Sequence, residues 1–348
     1  MILPPSYVFT LALILAGMLC WGSWASLYKA TGKLRFELFY FDFMFGLVVA
    51  ALLFAFTLGS MGFDGFSFMD DVLHAGKKQD LIGAIAGGVF NLGNMLLLAA
   101  VAEAGMAVAF PVGIGVAIVV GSTWRFFLTG GENAVVWLAG ALVVAAGVGV
   151  AGAAYRLYRL SRVDELVRTG QQKTTRRTAN TRGIPIAVFA GLILGSYFPL
   201  VTKAMDPEIG VGPYSMGVMF AVGVFASTFL FNLFFMNLPI SGQPLEIFEY
   251  FKVSRRDHLY GFLAGVLWLV GFDGSLVAGA AEGKATVGPA ISYGLLQGAV
   301  VIAAIWGLTV WKEYKEADAR IRSLLMVMLA LFVCGIGLIA VAPTVGHG

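Results

Sequence analysis

Charge is scarce in this chain. Of 348 residues, only 12% are Asp, Glu, Lys or Arg, and only 3 are histidine. A soluble domain is about one quarter charged, so a water-facing globule is excluded. The 2 cysteines, Cys20 and Cys334, each fall inside an apolar run, which excludes a disulfide framework and a cysteine-spaced metal site. His74, His258 and His347 are too scattered along the chain to nominate metal ligands. Gly147, Gly149 and Gly152 spell GxGxxG, but inside an apolar run with no strand before it. EGKAT at 282 to 286 lacks the leading glycine spacing and the hydroxyl residue after lysine that a phosphate loop requires. ATP-driven pumping, dinucleotide chemistry and metal hydrolysis therefore have no support. No enzyme activity, cofactor, metal or nucleic-acid partner is expected.

What is present is apolar sequence: 59% hydrophobic residues and 45 glycines, with a mean hydropathy of +0.86. About 20 apolar residues cross roughly 30 Å of hydrocarbon as a helix. Such runs occur near 6–28, 38–59, 81–102, 106–128, 134–155, 184–204, 213–237, 258–280, 286–310 and 321–342. The chain reads as an all-α polytopic membrane protein with ten transmembrane helices, although the short connection at Glu103 also allows one long bent segment there. The basic tract 156–183 divides it into an N-terminal half, 1–155, and a C-terminal half, 184–348. Lys and Arg are retained on the cytoplasmic side, and the loops after the odd-numbered spans, with Arg322 counted among them, hold 18 of the 23 basic residues. The expectation is a plasma-membrane protein with both termini outside and 156–183 cytoplasmic, as a linker and topology signal or, as a lesser alternative, a contact for anionic membrane lipid. No Lys or Arg precedes the first span, whereas Lys29, Lys33 and Arg35 follow it. This is the reverse of a secretory signal, so the first span should be retained.

The two halves match at a shift of 178 residues. LIGAIAGGVFNLG (81–93) lies over LYGFLAGVLWLVG (259–271), placing Gly83 on Gly261, Gly87 on Gly265 and Gly93 on Gly271, and Pro111 then falls on Pro289. Each half has an odd number of spans, so the second copy must be inverted in the membrane: two inverted five-helix repeats. That arrangement is typical of secondary transporters working by alternating access. Glycines four apart at Gly83/Gly87, Gly261/Gly265 and Gly191/Gly195 suit close helix packing. Prolines early in a span free a carbonyl one turn back, for a cavity or for a plain kink.

An ionisable group inside a span costs about 2.5 to 3.5 kcal/mol on insertion scales, which makes it a functional hypothesis. Asp273 lies deepest, in LVGFDGSLVAG, with no Lys or Arg within one turn. It suits a proton that binds and leaves, or else it solvates a vestibule. Asp42, in LFYFDFMFG, is the second proton-coupling candidate, with helix-end anchoring as its equal rival. Asn91 and Asn94 continue the Gly83/Gly87 stripe, and Pro289, Tyr293 and Gln297 share a face of the ninth span. Both stripes would suit a polar uncharged ligand, or hydrogen bonds between helices. Trp21, Trp24, Tyr197 and Trp268 could supply stacking faces. Glu103 and Glu282, near span ends and matched between the halves, suit helix capping or another shared role.

Three stretches carry a resemblance. CWGSWASLYKATGKLRFELFYFDF, with Tyr40, Phe41, Asp42 and Phe43, resembles the opening of ureide permeases. AGGVFNLGNMLL, with Gly87, Gly88, Gly93 and Asn94, resembles a segment of their third span. QGAVVIAAIWGLTVWKEYK, with Gln297, Trp306, Gly307, Lys312 and Glu313, resembles a ninth-span ending shared by ureide permeases and glucose/ribose porters. The five-plus-five pattern resembles the drug/metabolite transporter superfamily as a whole. The resemblance implies uptake of a small polar metabolite, a ureide, a nucleobase or a sugar, with protons or sodium. An exporter of the same superfamily is the alternative. Unlike the plant permeases, this chain has no nucleotide-binding-like motif in its central loop, which removes any reason to infer nucleotide regulation.

Overall fold

The computed structural model describes residues 1–32, 34–130, 133–169 and 182–345, with the backbone alone at Thr129, Leu166, Pro289 and Ala290. Lys33, His347, residues 170–181 of the basic tract and the Pro289 side chain lie outside the described residues.

Among the described residues twelve helices follow one another: α1 Tyr7–Ala30, α2 Phe36–Phe56, α3 Phe68–His74, α4 Lys77–Ala104, α5 Met106–Thr129, α6 Ala134–Arg168, α7 Gly183–Ala204, α8 Pro213–Asn237, α9 Arg255–Gly279, α10 Pro289–Gln297, α11 Ala299–Ile305 and α12 Ala319–Val341. Short 3-10 turns cover Ile247–Lys252 and Gly283–Ala285, and a π-type turn covers Trp306–Val310. No strand occurs among the described residues. Ten stretches among the described residues are long and apolar enough to cross a membrane, the ninth being Ile291–Val310. The expected all-helical, ten-span class is therefore observed.

Local chemistry sets the ends. Ser6, Ser254 and Asp318 each accept a hydrogen bond from a first-turn N–H of the helix that follows, at Phe9, Asp257 and Ile321. Gly105, at φ +82°, separates α4 from α5, which rules out one bent segment there. Two boundaries differ from expectation. α6 runs thirteen residues past the expected end at 155, because no Gly or Pro interrupts residues 153–169 and Arg162 pairs with Glu165 one turn on. The ninth span is discontinuous: Gly298 stands between α10 and α11, where a Cβ would press on the Met18 sulfur of α1.

The chain forms two compact units, each drawing on both halves of the sequence. The first comprises Met1–Met95 and Ser196–Ala299, the second Leu96–Gly195 and Val300–Gly348. A packing unit and a sequence repeat are thus different divisions of this chain.

Within the first unit the glycines allow backbones to touch. On α2 and α9, a Cβ on Gly46 would strike the Phe262 carbonyl and one on Gly265 the Phe43 carbonyl; on α4 and α8, Gly87 meets the Phe220 carbonyl and Gly223 the Ala84 carbonyl. Within the second unit, Gly191 meets the Gly113 carbonyl, and Gly140 and Gly335 meet each other's carbonyls across α6 and α12. With no water to drive helices together, such close approach supplies dispersion in its place.

Candidate functional site

Every side chain nominated from the sequence for proton coupling or ligand contact falls in the first unit: Trp21, Trp24, Asp42, Asn91, Asn94, Tyr197, Trp268, Asp273, Tyr293 and Gln297; Glu103 falls in the second. The fold sorts them into distinct environments.

Asp273 is 2% exposed, on α9. Neither carboxyl oxygen has a hydrogen-bond partner among the described residues. The carboxyl lies against Gly217 of α8, where a Cβ would occupy its place. An ionised carboxylate there would be uncompensated, a cost of several kcal/mol. Around the neighbouring Phe272 is a set of packed rings: Trp268 lies 4.1 Å from Phe90, Phe220 stacks on Trp268 at 5.4 Å and 8°, and Tyr197 stands edge-on to Phe90 at 5.5 Å. Trp21 stacks on Trp268 at 6.1 Å and donates its indole N–H to the Trp268 carbonyl at 3.1 Å. Phe90, Phe220 and Phe272 were not nominated from the sequence. Phe90 was legible in principle, because at the 178-residue shift it is the counterpart of Trp268.

Asn91 and Asn94 separate. Asn91 is wholly buried, with its amide nitrogen directed at Ser227 Oγ (2.8 Å), Thr228 Oγ1 (3.0 Å) and the Val224 carbonyl (3.3 Å) of α8, while its Oδ1 has no partner. Asn94 donates to the Tyr40 hydroxyl at 3.2 Å; the Tyr40 ring packs on Phe43, and Phe43 packs on Trp24. Trp24 therefore belongs to the Asn94 group rather than to the rings beside Asp273. Tyr293 and Gln297 are half-buried on α10, and the Gln297 side chain makes no hydrogen bond among the described residues.

Asp42 is 6% exposed but fully partnered. Tyr250 donates its hydroxyl to Oδ1 at 2.5 Å, and His258 Nδ1 lies 2.8 Å from Oδ2. Burial and the Asp42 charge push the Tyr250 phenol well above its ordinary pKa, so it stays a donor throughout the neutral range. His258 and Tyr250 were missed because they lie more than 200 residues from Asp42. No group of three or more His, Cys, Asp or Glu able to hold a metal occurs among the described residues.

These features define an all-helical integral membrane protein with several buried polar side chains in its first unit. Over its whole length the chain is similar to ureide permeases of Arabidopsis thaliana. It is 23% identical to ureide permease 1 over 390 residues, covering 97% of each chain, and 23% identical to ureide permease 4 over 395 residues, covering 96% of each. Ureide permease 3 is 25% identical over 303 residues, 80% of this chain and 87% of the relative. These relatives are permeases, not enzymes, in accord with a chain that is not an enzyme. No protein-family model matches. One crystal structure aligns over 96% of both chains with a TM-score of 0.54 at 16% identity, which shows a fold already seen by experiment.

Proposed function

We propose that this protein is a secondary transporter that takes up a ureide or a chemically similar oxo-heterocycle together with protons, by alternating access. The observation that carries the reading is the Asp273 carboxyl, buried without a partner among the described residues and next along α9 to Phe272 of the packed ring set, in a chain similar to ureide permeases from end to end. A flat ring with N–H and C=O groups matches such surroundings, stacking on Trp268 or Tyr197 and hydrogen-bonding to Asn94 or Gln297. Asp273 carries the coupling proton, and Asp42 is the second coupling residue.

Two features support the inverted repeat that alternating access needs. Phe90 and Trp268, counterparts at the 178-residue shift, touch each other, as residues on a pseudo-two-fold axis must. The glycine crossings also correspond: Gly87 and Gly265 are counterparts, and each meets a carbonyl on a helix of the other half. Within this reading both termini face outward from the plasma membrane and residues 156–183 are cytoplasmic.

The test is uptake into proteoliposomes of labelled allantoin, uracil and glucose, with and without an inward proton gradient, with a sodium gradient in parallel. Uptake of allantoin or uracil that collapses with a protonophore is expected. Preference for glucose would move the substrate to sugars, and sodium dependence would replace the proton. Flux only of amphipathic compounds outward would support the exporter.

A further inference from the structure

Asp42, His258 and Tyr250 come from three separate elements. Asp42 lies within the second turn of α2, His258 in the first turn of α9, and Tyr250 in the 3-10 turn Ile247–Lys252 that leads into α9. The Asp42 side chain is 9% exposed and that of His258 27%, so the imidazole reaches from a buried carboxyl toward the surface. The tyrosine ring packs edge-on to the imidazole at 4.6 Å and to Phe41 at 5.6 Å. A few residues further along both helices, Gly46 and Gly265 bring α2 and α9 into backbone contact.

We infer that Asp42, His258 and Tyr250 form a second proton-binding site, whose occupancy fastens the Ile247–Lys252 turn and the start of α9 to α2. With a proton on His258 the cluster is an imidazolium–carboxylate pair of zero net charge. Without it, a nearly buried carboxylate is left facing a neutral ring. The first state binds more firmly in a medium of low polarity. The other charged groups on α2, in the turn and at the start of α9 are engaged elsewhere or exposed, and Lys29, in the last turn of α1, has an interaction of its own. On α2, Glu37 is held by Arg35, which also donates to the Gln243 carbonyl. In the turn, Lys252 pairs with Glu249; on α9, Arg256 donates to Tyr260, Asp257 accepts from Ser254, and Arg255 is exposed. Tyr250 stays protonated across the neutral range and remains the donor to Asp42 with or without the proton on His258. The sign follows from charge: the fastening is strongest where His258 carries a proton and Asp42 does not, and it loosens once the pair has lost that proton. The site rests on the proposed proton coupling, since it would pass protons between the interior and one membrane face.

The experiment is hydrogen exchange of the full-length protein in lipid nanodiscs, reading the amides of residues 247–252 after correction for the intrinsic pH dependence of exchange. In wild type, exchange at about pH 5 should be at least about threefold slower than at about pH 8. His258→Gln, whose amide can still donate to Asp42 but cannot titrate, should bring that ratio to one, as should Asp42→Asn. Tyr250→Phe should speed exchange at both pH values and keep the ratio. A wild-type ratio of one, or a ratio that survives in His258→Gln, would overturn the site. Exchange does not depend on transport, so a pH-switched turn in a protein without proton-driven uptake would sink the transport reading alone.

Discussion

Asp42 and Asp273 are buried in the same unit, yet their surroundings treat them in opposite ways. Asp42 receives a phenol and an imidazole, one on each oxygen, from segments that the chain reaches only two hundred residues later. Asp273 receives nothing among the described residues: its carboxyl is set against a glycine, one residue along the helix from Phe272, which packs on Phe220. The first arrangement ties elements together and can hold a proton in a closed, charge-balanced cluster. The second costs stability wherever it is ionised and leaves all its hydrogen-bonding capacity for something else. That cost is the ground on which the proposed function gives Asp273 a use beyond packing.

The sharpest break in the comparison is Asp273→Asn. Proton-driven uptake should fall on the order of 100-fold, while thermal unfolding changes by no more than about 1 kcal/mol, because an unpartnered acid is exchanged for an amide of the same shape. Proteoliposome flux and melting curves check both halves of that statement. Asp42→Ala should behave in the reverse sense. It removes two hydrogen bonds to a charged acceptor, so a stability loss of about 2 to 3 kcal/mol is expected, with uptake reduced by only about tenfold.

Gly217→Ala probes the other side of the Asp273 site. The added Cβ falls on the carboxyl, and overpacking of this kind costs about 1 to 3 kcal/mol. In an Asp273→Ala background the same change should cost less than half as much; equal costs in the two backgrounds would mean that the two positions are not in contact. The smallest effect is expected at Asn91. Replacement by Ala loses ties to Ser227 and Thr228 worth about 1 kcal/mol and should leave substrate KM unchanged, whereas Asn94→Ala should raise it. A raised KM in the Asn91 variant would return that residue to the ligand site.

Much of the fold was legible because it rests on local rules. The spans follow from apolar length, and breaks such as Gly105 and caps such as Ser254 and Asp318 are written in single residues. The extension of α6 was misread because basic residues look like loop when hydropathy is the only guide, although they are sound helix formers. The break at Gly298 was missed because an apolar run shows no gap where a glycine yields to a neighbouring helix. Among the candidate residues, Asp273, Asp42, Trp268 and the asparagines were nominated because polar or bulky residues stand out in an apolar run. Their partners were not, since Phe90, Phe220 and Gly217 are ordinary in such a background, and His258 looked isolated.

The sequence by itself determined that this chain is helical, that it is apolar enough to cross a membrane ten times, where its positive charge collects, and which few polar residues it commits to apolar surroundings. Those properties depend on composition and spacing, to which the membrane responds one segment at a time. Only the tertiary structure decided which buried acid is satisfied and which is not. Satisfaction is a matter of a few ångströms between groups far apart along the chain: His258 against Asp42 across 216 residues, and Gly217 where any larger side chain would have displaced the Asp273 carboxyl.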